Sequence, residues 1–503
     1  MLKMPIGYLS ALFTLGILMA GVAELPYGGW LQIPVLSAVW LLLSQQTKSS
    51  IQKQFIYGIS FGLGYFILGL WWIYVSLHDV GGMNISLAVL AVILLSAYVA
   101  IYFSIASLAI HLVKPTRLFG LLLASSWVIT EYLRGEILTG FPWIGFAETQ
   151  IHGPFAPVAP YIGGLGCTFL VVWASWELSQ SKKTPIYSIG SIAALVVLAQ
   201  FASVWSFTKP LGEPISVRLI QGNFEQSLKF NPQAMQEQFA FYTNSIETTP
   251  ADLIVTPETA YPWPQSQLPS GLIQSLQDFS SITSSNILIG VIGEVAKGDR
   301  IQYANRALGI SANAPQHQYD KSHLVPFGEF TPPGFQWFVQ ALKVPMGDFA
   351  RGAVNQSFFA IQRKNTDPIY AAITICYEDI FGGELATRLR NSQESANLLV
   401  NMTNLAWFGK SQAPSQQLRQ SQLRSLETGL PSIRATNTGI TAILGPDGKV
   451  ISALPQFARA SLGAKVQAYS GKTPYVLWGN TPILTISFLL LILGLIRHRR
   501  FWV

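Results

Sequence analysis

Apolar residues are unevenly distributed along this chain. They gather into seven long runs in the first two fifths, at about 5–22, 28–44, 55–76, 85–112, 118–133, 157–178 and 186–206, and one more at 481–496. Most reach or approach the roughly 20 residues a helix needs to cross about 30 Å of hydrocarbon, so each is predicted to span a membrane. Between Ile215 and Ser470 the pattern changes: Asp, Glu, Asn and Gln return, and short β-rich runs alternate with helical ones. "ISVRLIQGN", "ADLIVTPE", "NILIGVIGEV", "NRALGIS", "IYAAITIC" and "NLLVNMTN" read as strands. "AMQEQFAFYTNSIE", "GGELATRLRNSQ" and "SQQLRQSQLRSLETG" read as helices. Continuous Val/Ile/Leu strands interleaved with helices predict an α/β layered domain with buried sheets. The expected organisation is transmembrane helices 1–7 over residues 1–212, a folded domain over 213–472, and an eighth transmembrane helix with a basic tail over 473–503.

Composition agrees with this reading. Of 503 residues, 50% are hydrophobic and 11% charged, and the mean hydropathy is +0.36; a soluble domain averages roughly 25% charge. The first run follows Lys3 and ends near "AGVA", as a signal peptide would, but six further runs follow it, which favours a retained helix. The formal charge of +7 is not a nucleic-acid signature, because several basic residues lie in short gaps between apolar runs rather than on folded polar sequence. Lys3, then Lys48 and Lys53, then Lys114 and Arg117, then Lys182 and Lys183 occupy alternate gaps, with Arg134 the main exception. Arg497, Arg499 and Arg500 close the eighth run. The positive-inside rule therefore puts both termini in the cytoplasm. An odd number of spans then places the polar domain outside, on the periplasmic side of the inner membrane in a diderm bacterium.

Candidate chemistry sits at three strand ends. "LIVTPETAYPWP" carries Glu258, "QYDKSHLVPFGEF" carries Lys321 and Glu329, and "AAITICYEDIF" carries Cys376. The only other cysteine, Cys167, lies in an apolar run, so no disulfide framework exists. A thiol of ordinary pKa, about 8.5, is mostly protonated at neutral pH and needs a base or a cation beside it to become a nucleophile. A carboxylate can take its proton, and an ammonium can stabilise the anion formed on the attacked carbonyl. "GISFG" at 58–62 matches a serine-hydrolase elbow but lies inside an apolar run, where small residues serve helix packing. The histidines show no metal-ligand spacing, and nothing calls for a metal or organic cofactor; His317 or His323 is a weaker partner for Cys376.

The order Glu258, Lys321, Cys376, in "PETAYPWP", "YDKSHLVPFGEF" and "ICYEDIF", resembles the nitrilase superfamily of carbon–nitrogen hydrolases. With the eight-span frame, "IQGNFEQSLKF", "FPWIGFAETQ" and "GKTPYVLWGN" narrow the resemblance to the apolipoprotein N-acyltransferase family. That resemblance implies a polytopic α-helical membrane protein with an inserted αββα sandwich. It implies Cys376 as nucleophile, Glu258 as general base and Lys321 as oxyanion stabiliser. It also implies the Tyr377 backbone N–H as a second oxyanion donor, Glu329 as the group orienting Lys321, and importance for Tyr377 and Glu378. Phe230 stands where that family often has Trp.

Several aromatic residues are candidates to line an acyl path: Phe230, Trp143, Tyr74, Trp337, Phe338 and Trp407. "TPPGFQWFVQALKVPMGDF" reads either as a buried helix or as a mobile lid whose aromatic face enters the lipid interface. The family resemblance implies ping-pong transfer of a fatty acyl chain from a phospholipid, with phosphatidylethanolamine the expected donor, to the N-terminal amine of a diacylglyceryl-cysteine lipoprotein. Two alternatives remain: a membrane-tethered amidase of small amides, and a transporter or receptor. Against the latter, the runs lack charged residues of the kind that mark membrane pathways, with Glu131 and Glu177 expected at span ends.

Overall fold

The computed structural model describes residues 6–46, 49–112, 118–225, 232–298, 300–312, 314–336 and 348–499. The chain divides into two compact units, Met1–Ser206 with Trp478–Val503, and Phe207–Leu477.

The first unit is helical. Helices Ile6–Val22, Gly28–Gln45, Ile51–Gly69, Ile85–Ser107, Phe119–Glu136, Ala159–Ser179, Pro185–Ala202 and Thr481–Arg499 overlie the eight apolar runs. By length and hydropathy, three of the described helices suffice to cross a membrane: Ile85–Ser107, Ala156–Ser179 and Pro185–Ala202. A fourth is added if Ile51–Gly69 and Trp72–Val80, which meet at a 52° bend, count as one span. The run 55–76, expected as one span, is thus bent beyond Gly69 and continues through Trp72–Tyr74 into a π-helical turn, Val75–Val80.

Glycine sets the spacing within this unit. A Cβ on Gly16 would stand 2.1 Å from the Phe61 carbonyl oxygen, and one on Gly64 would stand 2.0 Å from that of Phe13, so Ile6–Val22 and Ile51–Gly69 meet backbone to backbone. On the next face a Cβ on Gly58 would stand 2.6 Å from Ser104 Cα, and one on Gly62 would stand 2.6 Å from the Ala100 Cβ. The "GISFG" glycines are therefore the seam against Ile85–Ser107, and Ser60 donates its hydroxyl to the Leu9 carbonyl at 2.8 Å. Glu131, near the end of Phe119–Glu136 as expected, is buried among helices, accepting from Trp127 Nε1 at 3.2 Å and Thr168 Oγ1 at 3.1 Å.

The second unit holds two sheets. The first contains β1 (Lys209–Gln221), β2 (Leu253–Val255), β3 (Tyr261–Pro264), β4 (Asn286–Lys297), β5 (Arg300–Ile310), β6 (His317–Asp320) and the late strand β13 (Ala460–Ser470). The second contains β7 (Phe359–Arg363), β8 (Thr366–Ile375), β9 (Leu398–Thr403), β10 (Ser432–Thr436), β11 (Ala442–Leu444) and β12 (Val450–Ala453), side by side in the order β12-β11-β10-β9-β8-β7. In the first sheet the order is β13-β1-β2-β4-β5-β6, with β3 also pairing to β4.

Strand alternation assigns the layers. Val217, Leu219, Leu253, Val255 and Leu288 of the first sheet pack against Ile369, Ala371, Ile373, Ile375, Val400 and Ile433 of the second in one core. The opposite face of the first sheet, with Ile220, Ile254, Ile287 and Ile289, is covered by Tyr242 and Ile246 of helix Pro232–Thr248 and Leu272 and Leu276 of helix Leu272–Thr283. On the far face of the second sheet, Ala372 and Leu399 meet Leu385 and Leu389 of helix Gly382–Asn391. The result is the αββα sandwich that the family resemblance implied, with apolar clusters on both faces of each sheet.

Candidate active site

Three of those strand ends converge. β2 is followed by Thr256, Pro257 and Glu258, β6 by Lys321, and β8 by Cys376. β2 runs parallel to β4 and β4–β5–β6 is an antiparallel meander, so β2 and β6 point the same way and deliver Glu258 and Lys321 to one edge of the first sheet. Close approach of the Glu258 turn requires a glycine beneath it. A Cβ on Gly290 of β4 would stand 2.3 Å from the Pro257 oxygen and 2.6 Å from the Thr259 nitrogen.

Lys321 is 1% exposed and lies between two carboxylates: its Nζ is 2.9 Å from Glu329 Oε1 and 3.5 Å from Glu258 Oε1. Burial opposes its charge, but Glu329 and Glu258 more than offset this and raise its pKa above the ordinary lysine value, so it is held as an ammonium. Glu258 also accepts from Asn305 Nδ2 at 2.6 Å and from the Asn404 backbone N–H at 2.8 Å. Glu329 accepts from the same Asn305 amide at 3.0 Å and from the Val325 N–H at 2.8 Å. Asn305 thus ties the two carboxylates to β5.

Cys376 is buried, with a left-handed backbone at φ 53°, a conformation that costs a non-glycine residue of the order of 1–3 kcal/mol. Burial raises its thiol pKa, the Glu258 carboxylate adds to this both by charge and as its hydrogen-bond acceptor, and Lys321 opposes it. The resting group is therefore a thiol facing a carboxylate. The Glu258 carboxylate and the Lys321 ammonium are the charged groups beside it.

Glu378 does not face this cluster directly. Its Oε1 accepts from the Ser322 N–H at 2.6 Å, the Ser322 hydroxyl at 2.7 Å and the His323 N–H at 3.2 Å, while Oε2 accepts from the Ile375 N–H at 2.6 Å. Tyr319 donates to both oxygens at 2.9 Å. One carboxylate thereby ties the segment after β6 to the turn carrying Cys376. Tyr377 is buried, and its ring lies 5.2 Å from Phe381 and 5.8 Å from His323.

The histidines considered as partners of Cys376 are engaged elsewhere. His323 Nδ1 lies 2.8 Å from Glu384 Oε1 with its ring stacked on Phe381, and His317 packs against Phe359. Trp407 is 43% exposed on the turn Ala406–Phe408, just after the Asn404 that holds Glu258. Trp143 and Tyr74 belong to the helical unit: Trp143 is buried with its ring 5.0 Å from Trp72, and Tyr74 stacks on Trp71 at 5.0 Å. Phe230, Trp337 and Phe338 fall outside the described residues. Among the described residues, no group of three or more His, Cys, Asp or Glu is arranged to hold a metal.

Sequence reading missed Asn305, Gln417 and Arg434, and gave Asp379, one of the two acids closely following Cys376, no role. Asn305 shares its strand with Arg300, Gln302 and Arg306, Arg434 lies between Ser432 and Thr436, and Gln417 lies in a helix rich in glutamine, so none stood out from its neighbours.

Residues 216–475 match the family model described as carbon-nitrogen hydrolase, so the sandwich with its Glu–Lys–Cys cluster is a carbon–nitrogen hydrolase domain. Residues 15–176 match the model of the apolipoprotein N-acyltransferase N-terminal domain. An apolipoprotein N-acyltransferase from Ralstonia nicotianae is 38% identical, covering 94% of this chain and 90% of that one. Another from Nitrosomonas europaea is 36% identical over 92% of both. Among solved structures, an amidase from Nesterenkonia sp. is similar over 55% of this chain and 97% of its own, at 16% identity and a TM-score of 0.36. The chain belongs to the apolipoprotein N-acyltransferase family.

Proposed function

We propose that this acyltransferase moves a fatty acyl chain from a membrane phospholipid to the N-terminal amine of a lipoprotein's diacylglyceryl-cysteine, through a thioester on Cys376. Family membership makes the chain an N-acyltransferase of lipoproteins. The observation that carries the thioester is the buried ammonium of Lys321 between Glu258 and Glu329, beside a thiol whose pKa burial and the Glu258 carboxylate raise and Lys321 lowers.

The steps follow from those positions. Glu258 takes the Cys376 proton as Sγ attacks the ester carbonyl of the phospholipid. The oxyanion is met by Lys321 Nζ and the Tyr377 N–H. Collapse breaks the C–O bond, the departing lysophospholipid oxygen takes the proton back from Glu258, and an acyl thioester remains. The lipoprotein amine then attacks the thioester and gives a proton to Glu258. The C–S bond breaks, and the proton returns to sulfur. Glu329 keeps Lys321 in place throughout, and Trp407, exposed just after the Asn404 that holds Glu258, is the described aromatic candidate of this domain for contact with the acyl chain. Water exclusion lets the amine, rather than hydrolysis, complete the cycle.

Eight helices span the inner membrane in this reading, with both termini cytoplasmic and residues 213–472 on the periplasmic side; alternating basic gaps support that orientation. Phosphatidylethanolamine is the expected donor. The test is intact-protein mass after incubation with phosphatidylethanolamine vesicles. Wild type gains a fatty-acyl increment and Cys376→Ala gains none; equal masses for the two overturn the mechanism.

A further inference from the structure

The peptide joining Cys376 to Tyr377 is held from behind by a residue of another element. Its carbonyl oxygen accepts a hydrogen bond from Gln417 Nε2 at 3.0 Å, and the same nitrogen lies 3.9 Å from Cys376 Sγ. Gln417 is completely buried in helix Ala413–Thr428.

A glutamine amide can point either of its ends at a carbonyl, and only the nitrogen donates. Arg434 of β10 makes the choice. Its Nη2 donates to Gln417 Oε1 at 2.5 Å, and since a guanidinium offers donors only, the amide oxygen must face it and the nitrogen must face Cys376. Arg434 is itself immobilised: Nη1 donates to Ser421 Oγ at 2.7 Å, to Asn401 Oδ1 at 3.0 Å and to Asp379 Oδ2 at 3.3 Å. Asp379 balances the buried charge and accepts from Thr374 Oγ1 at 2.7 Å, on the strand that ends at Cys376. The network begins and ends on the Cys376 turn.

Its consequence is geometric. The described peptides are all trans, and in a trans peptide the C=O and N–H point in opposite directions. Pulling the Cys376 carbonyl toward Gln417 therefore sends the Tyr377 N–H the other way. Cys376 also sits in a left-handed conformation that must be held against relaxation. We propose that Gln417, oriented by Arg434, is a positioning residue that fixes the Cys376–Tyr377 peptide with its N–H presented to the acyl oxyanion.

This inference rests on the thioester reading above, and its test separates the two. Two rates are measured on the detergent-solubilised full chain. One is acyl-adduct formation from phosphatidylethanolamine, which passes through an oxyanion. The other is alkylation of Cys376 by iodoacetamide, read by peptide mapping, which displaces iodide at a saturated carbon and forms no oxyanion. Losing one oxyanion donor costs about 10²–10³-fold, so Gln417→Met should slow acylation by about 10²-fold while alkylation changes only a few-fold. A variant in which both rates fall equally, or neither falls, overturns the proposal, since a merely structural role would move them together. Arg434→Lys keeps a cation against Asp379 but loses the fork that sets the amide; it should shift the same ratio in the same direction by about 10-fold, a fraction of the full donor loss. Wild type forming no adduct overturns the thioester reading and this inference with it, an outcome distinct from wild type and Gln417→Met acylating alike.

Discussion

The two units solve the problem of close contact in opposite ways. In the helical unit, glycines bring backbones together: Gly16 and Gly64 at one seam, Gly58 and Gly62 at the other. The polar side chain between them, Ser60, only ties off a neighbouring carbonyl. In the sandwich, apolar side chains bring the sheets together, and polar side chains are concentrated where the strands stop. There a glycine, Gly290, is needed for the position of one carboxylate rather than for packing in general. A motif that looks chemical, "GISFG", is a packing seam. A glycine that looks like packing, in "NILIGVIG", shapes the candidate site. The difference follows from the solvent: hydrocarbon gives no reward for bringing apolar faces together, so helices associate through van der Waals contact of small residues. In the sandwich, burial of apolar faces supplies the cohesion and leaves the strand tips free for polar work.

The largest expected effect comes from removing the cation at the strand tips. Lys321→Met should slow acyl-adduct formation by at least about 10³-fold by analogy with oxyanion-donor losses. It also leaves Glu258 and Glu329 facing each other without their ammonium, so the sandwich should lose roughly 3–5 kcal/mol, read by chemical denaturation. Unchanged stability would mean that the two carboxylates do not depend on that charge.

The glycine contrast is tested by a pair of substitutions. Gly64→Val puts side-chain atoms where the Phe13 carbonyl stands, and should lower the thermal midpoint of the detergent-solubilised chain while leaving Cys376 alkylation at low temperature unchanged. Gly290→Ala pushes on Pro257 and Thr259; overpacking of this kind costs typically about 1–3 kcal/mol. It should also slow acylation by about 10²-fold, within the range expected when a general base is displaced. If Gly290→Ala acylates normally, Glu258 does not need β4 beneath it.

The smallest effect is electrostatic and belongs to the sandwich alone. Burial lowers the pKa of His317 to about 4, with Glu394 opposing the shift. The unfolded chain then binds a proton from about pH 6.5 downward that the folded chain refuses until about 4, so stability is complete above 6.5 and falls as the pH drops through that window. Replacing His317 by Phe beside Phe359 should flatten the acid limb of the denaturation profile by about 1–2 kcal/mol. An acid limb as steep as wild type would assign the loss to other groups.

Much of this organisation was legible before any coordinates. The eight apolar runs coincide with helices because twenty apolar residues in a row have few other fates. Continuous apolar strands between helices showed an α/β layered domain, the family resemblance implied its αββα order, and the structure displays that order in β8, with Ile369, Ala371, Ile373 and Ile375 on one face and Ala372 on the other. Glu258, Lys321, Glu329 and Cys376 stood out because ionisable or nucleophilic groups at the ends of apolar strands break the pattern. The break beyond Gly69 and the burial of Glu131 did not show, since both depend on which helix lies alongside.

The sequence by itself therefore determined the elements and an α/β alternation, and marked Glu258, Lys321, Glu329 and Cys376 as candidates, because local periodicity and residue chemistry act over a few positions. Tertiary structure alone decided that Asn305 bridges two carboxylates, that Glu378 pins one strand end to another, and that Arg434 turns the Gln417 amide toward Cys376. A hydrogen bond needs its partner within about 3 Å and correctly aimed. Only the register of strands distant in the chain brings those partners to that distance.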